Sequence, residues 1–415
     1  MMTDAPHMKP TIRRLGPRPL ALHLGLATTS VASSFATLPL RDRGRIDLPV
    51  PLPTELEEMA SRASLDASPE LLQALADQGS GMMQEMIDGI RAYHAHPYRR
   101  VDRARPTLWQ RGTTALLDGA PSAPAEAPLV LLVPSLVNPS YVLDLMPGRS
   151  FVDYLAARGF HPVMFDWAAP GEEERGFDTS SYICQRILPA LDYVADLFPK
   201  APLHLAGYCM GGTLAVAAAE RRQARLSSLI AIATPWDFHA GLDGEARNLL
   251  DQPEFWDSIL TGFGELPVDL LQTIFTSLDP NLGLRKFSRF ARMDMESEQA
   301  REFVAIEDWL NDGHPLVRGV AGDVLNGWYG RNEIQRNLWM IDGAAVRAQD
   351  IALPSLIAVP ETDKIVPRPS ALALAERLPD PTVITSPSGH VGMMAGRQAE
   401  EGLWRQAGDW IATVR

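Results

Sequence analysis

Four short, mostly apolar runs constrain this chain most: LVLLVP at 129–134, HPVMFDW at 161–167, PLHLAG at 202–207 and LSSLIAIATP at 226–235. A strand with one face in water alternates apolar and polar side chains, and none of these does. Strands buried on both faces need covering layers above and below, and the stretches between the runs supply them. Residues 150–158, 182–197 and 212–221 read as helices. Strand and helix in alternation, with strands buried on both sides, specify a mostly parallel, doubly wound α/β sheet. The alternation stops near 238 and resumes with LPSLIAVPETD (353–363), ALALAERL, PTVITSPSGH (381–390) and GLWRQAGDWIATV. In between, about 238–337, the pattern is helical and rich in aromatics, and it predicts a cap over the carboxyl ends of the strands, where ligands bind in such sheets.

Residues 1–110 read as a helical N-terminal extension, and 111–415 as the catalytic domain that carries the cap. Ser68 and Pro69 form an N-cap and first-turn pair, and Met83, Met86, Ile87 and Ile90 mark one buried helix face. Arg13 and Arg14 precede LALHLGLATTSVASSFATLPL, which has the basic-then-apolar order of a targeting segment. Its Ser, Thr and His content predicts a packed helix instead, with no transmembrane span. The stretch TTALLDGAPSAPAEAP (113–128) reads as a loop, and GEEERG (171–176) as a solvated one.

The net charge of −13 and the lack of a Lys/Arg block exclude an electrostatic footprint for nucleic acid. Cys184 and Cys209 are the two cysteines, so there is no disulfide framework and no cysteine-based metal site. A reducing, cytoplasmic setting is expected, with no metal and no bound cofactor.

Cys209 stands in LHLAGYCMGGTLAV, between an apolar strand and a small-residue helix. Glycines at 207 and 211 allow a tight strand-to-helix turn that lifts residue 209 above the sheet as a nucleophile. Two later strands end on the partners such a nucleophile needs: Asp363 after LIAVPE and His390 after VITSPSG, in the order nucleophile, acid, histidine used by α/β hydrolases. His390 would take the thiol proton, and Asp363 would orient His390 or act on a second hydroxyl. Backbone N–H of Met210 and of Leu136 or Val137, in the turn after the first strand, would hold the oxyanion. Asp237 in TPWDF is a candidate supporting residue, whereas Cys184, His204, His161 and Trp167 read as packing.

PSLVNPSYVLDLMPGRSFVDYLAARGFHPVMFDW, GYCMGGT, ATPWDF, TDKIVP and SGHVGM, in this order, resemble polyhydroxyalkanoate synthases, especially the short catalytic subunits of two-component enzymes. The resemblance spans about residues 90–410 and implies an α/β-hydrolase fold. It also implies an acyl-Cys209 intermediate formed from (R)-3-hydroxyacyl-CoA, His390 as activating base, and Asp363 assisting the hydroxyl of the incoming unit. A homodimer or a second synthase subunit, the growing polyester and a polyester-granule surface would be its partners. A cysteine-dependent thioesterase or polyester depolymerase on the same fold, with water as acceptor, is the alternative, and a catalytically idle granule protein a third reading.

Overall fold

The computed structural model describes residues 14–41, 69–242 and 250–414, together with Arg247. Ser68, Arg13 and part of the 1–68 segment therefore lie outside the described residues. The chain divides into two compact units, one made of residues 1–99 with 279–311, the other of 100–278 with 312–415.

The larger unit is built on an eight-stranded sheet. Its strands are β1 (Thr107–Arg111), β2 (Thr114–Asp118), β3 (Leu129–Val133), β4 (His161–Asp166), β5 (Leu203–Tyr208), β6 (Ser228–Ile232), β7 (Ser355–Pro360) and β8 (Thr382–Ser386). Their order across the sheet is β1-β2-β4-β3-β5-β6-β7-β8. The pairs β1/β2 and β2/β4 are antiparallel and all later pairs parallel. All four runs that fail to alternate are central strands, and every residue of β3, β5, β6 and β7 is buried. That is the burial expected of strands covered on both faces.

Two expectations need correction here. The loop read at 113–128 contains β2, which forms a hairpin with β1 and extends the sheet at an edge; both strands are five residues long and β1 is half exposed, so they lack the apolar signature of the centre. The GEEERG segment is not wholly solvated, because Glu174 is buried and ion-paired with the buried Arg186 at 2.7 Å.

The order of strands fixes where a site can form. From β3 the chain moves to β4 on one side, then crosses back to place β5 on the other side of β3. The loops leaving β3 and β5 thus diverge in opposite directions and open a crevice at the carboxyl ends of these two strands. Val133 and Gly207, near those ends, are register partners.

The described residues between β6 and β7 are mostly helical, as expected of the insertion. Its helices Pro253–Phe263 and Val268–Leu278 belong to the larger unit, where Trp256, Leu260 and Leu271 join the core of the sheet. Residues 279–311 instead belong to the smaller unit. There, helices Leu20–Arg41, Pro69–Ala95, Leu282–Ala291 and Glu298–Asn311 share a core of Ala27, Val31, Met86, Ile90, Phe287 and Val304. The Leu20–Arg41 segment is the packed helix its composition predicts. Arg14 is buried beside it, its guanidinium donating to the Asp308 carboxylate at 2.9 Å and to the His96 carbonyl at 2.8 Å. No described helix is long and apolar enough to cross a membrane.

Candidate active site

Cys209 follows β5 directly and N-caps the Met210–Arg222 helix, with φ 57° and ψ −131°. A side chain other than glycine in this region of backbone space costs about 1–3 kcal/mol, and such strain concentrates at functional turns. The surroundings hold it in place. The Cys209 N–H donates to the Ile232 carbonyl on β6 at 2.9 Å. A Cβ on Gly207 would lie 2.4 Å from the Gly212 Cα, and one on Gly211 would lie 2.1 Å from the Val133 carbonyl oxygen. The two glycines let the helix start pack directly on the strand ends, and the sharp turn follows from that closeness.

Asp363 and His390 arrive from the loops after β7 and β8, and both are buried. Asp363 Oδ1 accepts the backbone N–H groups of Ile365 at 2.7 Å and Val366 at 3.0 Å. Its Oδ2 lies 2.5 Å from His390 Nδ1. With Nδ1 so engaged, Nε2 is the ring nitrogen left for Cys209, whose side chain acts on the imidazole at close range. Burial opposes a charge on His390, but the Asp363 carboxylate and the Cys209 sulfur outweigh it and hold the imidazole pKa well above its ordinary value. The structure therefore brings Cys209, His390 and Asp363 together at the carboxyl ends of the strands, with His390 and Asp363 directly hydrogen-bonded.

The three backbone donors singled out from the sequence differ in their engagements. Met210 is the first residue of its helix, so its N–H has no intrahelical carbonyl to bond. The Val137 N–H already donates to Ser135 Oγ at 3.2 Å. Leu136, beside it, is buried. The whole Pro134–Tyr141 loop is pinned from the sheet side, since Trp167 Nε1 donates to the Pro134 carbonyl at 3.0 Å and Ser140 Oγ to Asp166 at 3.0 Å.

Asp237 lies in the loop after β6 and organises it. Its Oδ1 accepts from the N–H of His239 (2.9 Å) and Ala240 (3.1 Å) and from Asn332 Nδ2 (2.8 Å). That arrangement sets His239 Nε2 2.7 Å from the Tyr329 carbonyl oxygen. His204 is buried on β5 with Nδ1 2.8 Å from Ser228 Oγ, His161 pairs with Asp118, and Cys184 packs against the core. None of these three reaches the Cys209 site.

Two tyrosines belong to the site that sequence reasoning passed over. The Tyr208 ring lies 5.1 Å from the His390 ring and its hydroxyl donates to the His390 carbonyl at 3.2 Å. Tyr329 packs edge-on against Phe238 at 4.9 Å. Burial pushes both phenols up, and Cys209 and Asp363 contribute in the same direction. The position of Tyr208, next to Cys209 in the elbow, was a usable signal; nothing in the sequence around Tyr329 was.

Residues 128–396 match the family defined by the α/β-hydrolase fold. The chain is 29% identical over 290 residues to the poly(3-hydroxyalkanoate) polymerase subunit PhaC of Haloferax mediterranei, covering 68% of this chain and 58% of that one. It is 27% identical to the protein of the same name from Haloarcula marismortui, covering 68% and 60%. With that of Allochromatium vinosum it shares 26% over 300 residues, covering 71% and 82%. The alignment thus spans less than two thirds of the two haloarchaeal proteins. The family match extends over more than half of the sequence and takes in β3 through the segment after His390, and on that ground, together with the strand order and the elbow, the chain belongs to the α/β-hydrolase fold family.

Proposed function

We propose that this protein is a polyhydroxyalkanoate synthase-like acyltransferase that polymerises (R)-3-hydroxyacyl-CoA to polyester and releases CoA through an acyl-Cys209 intermediate. The observation that carries the reading is a cysteine, in place of the usual serine, on a strained elbow and beside a histidine that a buried carboxylate orients. The three relatives, all named poly(3-hydroxyalkanoate) polymerase subunits, point the same way.

His390 takes the Sγ proton, and the sulfur attacks the thioester carbonyl carbon. The oxyanion is met by the Met210 N–H and, because the Val137 N–H is already bonded to Ser135, by that of Leu136. Collapse breaks the bond to the CoA sulfur, which leaves with the proton from His390. The hydroxyl of a second hydroxyacyl group then attacks the acyl-Cys209 carbonyl and passes its proton to His390; an ester forms, and the Cys209 sulfur leaves and is reprotonated. Sulfur suits this sequence because one thioester is exchanged for another and the acyl group keeps its activation until the ester-forming step. Substrate and product are then the acyl-CoA and the growing polyester, and a second copy of the chain or a second subunit and the granule surface are its partners in the cytoplasm.

The test is incubation of the purified chain with 3-hydroxybutyryl-CoA, with intact mass of the protein, free CoA and insoluble polyester as readouts. A mass increase that Cys209→Ala abolishes, together with polymer, supports the reading. CoA release with free hydroxy acid and no polymer replaces it with a thioesterase, and an unlabelled, inert protein with the idle alternative.

A further inference from the structure

The loop after β3 is held from a second direction, by a turn of the helical insertion. Residues 312–315, DGHP, join the Glu298–Asn311 helix to a two-residue strand, Leu316–Val317, that pairs with Glu265–Leu266. The N–H of His314 donates to the Val137 carbonyl at 3.0 Å. Asp312 Oδ2 accepts the Tyr141 hydroxyl at 3.2 Å, and the Arg100 guanidinium lies over the Tyr141 ring at 4.1 Å. Gly313 sits flat against the loop: a Cβ there would meet Val268 Cγ1 at 3.2 Å, the Val137 carbonyl oxygen at 3.4 Å and Asn138 Nδ2 at 3.6 Å.

These contacts fall on Val137 to Tyr141, just after the peptide whose N–H faces the reacting carbonyl in the reading above. The sheet side fixes the loop at Pro134 and Ser140, through Trp167 and Asp166. Between those anchors the bond from His314 to the Val137 carbonyl supports the Leu136–Asn138 backbone from outside the loop. Holding the Val137 carbonyl fixes the Val137–Asn138 peptide, two peptides along from the Ser135–Leu136 unit that carries the Leu136 N–H, and so limits how far that N–H can swing; a donor's worth in an oxyanion hole depends on its direction being set before the charge appears.

We propose that the Asp312–His314 turn is a positioning element of the oxyanion loop, so that the helical insertion, through this one turn, sets how well the site stabilises the tetrahedral intermediate. The inference rests on the acyl-transfer reading. It assigns the turn no contact with substrate; it acts through Leu136 and Val137.

Two variants separate this role from a merely structural one. Gly313→Val pushes the turn off the loop, and Tyr141→Phe removes the hydroxyl that bonds Asp312. Each is compared with wild type in two reactions of Cys209: acyl-enzyme formation from 3-hydroxybutyryl-CoA, and alkylation by iodoacetamide. Alkylation displaces iodide from a saturated carbon and forms no oxyanion, so it reports the nucleophile and His390 alone. Gly313→Val is expected to slow acylation about 100-fold, as a displacement of about 1 Å does, and Tyr141→Phe about tenfold, as loss of one hydrogen bond to a charged group does. Alkylation should stay within about twofold, because no oxyanion donor takes part in it. Equal loss in both reactions, or no loss in acylation, by the variant that folds overturns the inference while leaving the acyl-transfer reading intact. A wild-type chain that alkylates at Cys209 but forms no acyl-enzyme overturns the reading, and the inference with it.

Discussion

Replacing Asp363 by Asn changes one atom, and the structure dictates which way round the amide must sit. Oδ1 accepts two backbone N–H groups, from Ile365 and Val366, so the amide oxygen has to occupy that place. The amide nitrogen then takes the place of Oδ2, 2.5 Å from His390 Nδ1 in the native protein, and presents a donor to it. Nδ1 can meet a donor only as an acceptor, which forces the imidazole proton onto Nε2, the side facing Cys209. A histidine in that tautomer cannot take the thiol proton, and without the carboxylate its pKa also falls back from its raised position. Wrong-tautomer substitutions of this type lower turnover by about 10⁴ in the hydrolase setting where they are understood. At about 1.36 kcal/mol per decade this is roughly 5.5 kcal/mol of transition-state stabilisation. The assay is single-turnover acylation of Cys209 by 3-hydroxybutyryl-CoA, followed by chain extension measured separately. Both should fall, acylation by about 10³ to 10⁴. If Asp363→Asn is acylated at the wild-type rate and fails only in extension, the tautomer argument is refuted and the aspartate acts on the incoming hydroxyl instead.

The elbow and the histidine supply two further expectations. Gly211→Ala would gain about 1 kcal/mol from helix propensity, yet its Cβ would lie 2.1 Å from the Val133 carbonyl oxygen and 2.5 Å from that of Pro134. Backbone atoms cannot step aside, so urea unfolding should show a net loss of about 1–3 kcal/mol, and unchanged stability would mean the strand ends are looser than described. Because the His390 pKa is raised in the folded protein, its contribution to stability is complete below about pH 6.5 and disappears as pH climbs through the raised value. The unfolding free energy of the wild type should therefore decline over that window while His390→Gln lacks this component of the slope, and parallel curves for the two proteins would contradict the coupling to Asp363.

What could be read from the sequence divides along a physical line. Buried parallel strands announce themselves because both faces must be apolar, so β3 to β7 stood out as runs without alternation. The hairpin of β1 and β2 did not, since TLWQR and TALLD are short and partly exposed, and a loop rich in Ala and Pro follows them. GEEERG read as a solvated charge run because charge is a local property while its neutralisation is not. The partner of Glu174 is Arg186, on a different element, and only the folded chain puts them 2.7 Å apart. Helical periodicity likewise marked the insertion between β6 and β7 but says nothing of which neighbours its helices choose, and residues 279–311 group with the N-terminal helices.

The site follows the same division. Cys209, Asp363 and His390 were conspicuous because each ends a strand, and a parallel sheet delivers all its strand ends to one edge whatever lies between them in sequence. Their meeting point needed only the fold class to be right. The residues that refine the site enter sideways: Tyr208 beneath the imidazole, Tyr329 from the insertion, and the DGHP turn against the oxyanion loop. The last two are placed by packing across elements far apart in the chain, and no periodicity records them. A nucleophile and its base can be carried by many sequences on this scaffold. On the acyl-transfer reading proposed above, those lateral contacts are where the choice of acceptor would be set, and in this chain most of them originate in the insertion after β6.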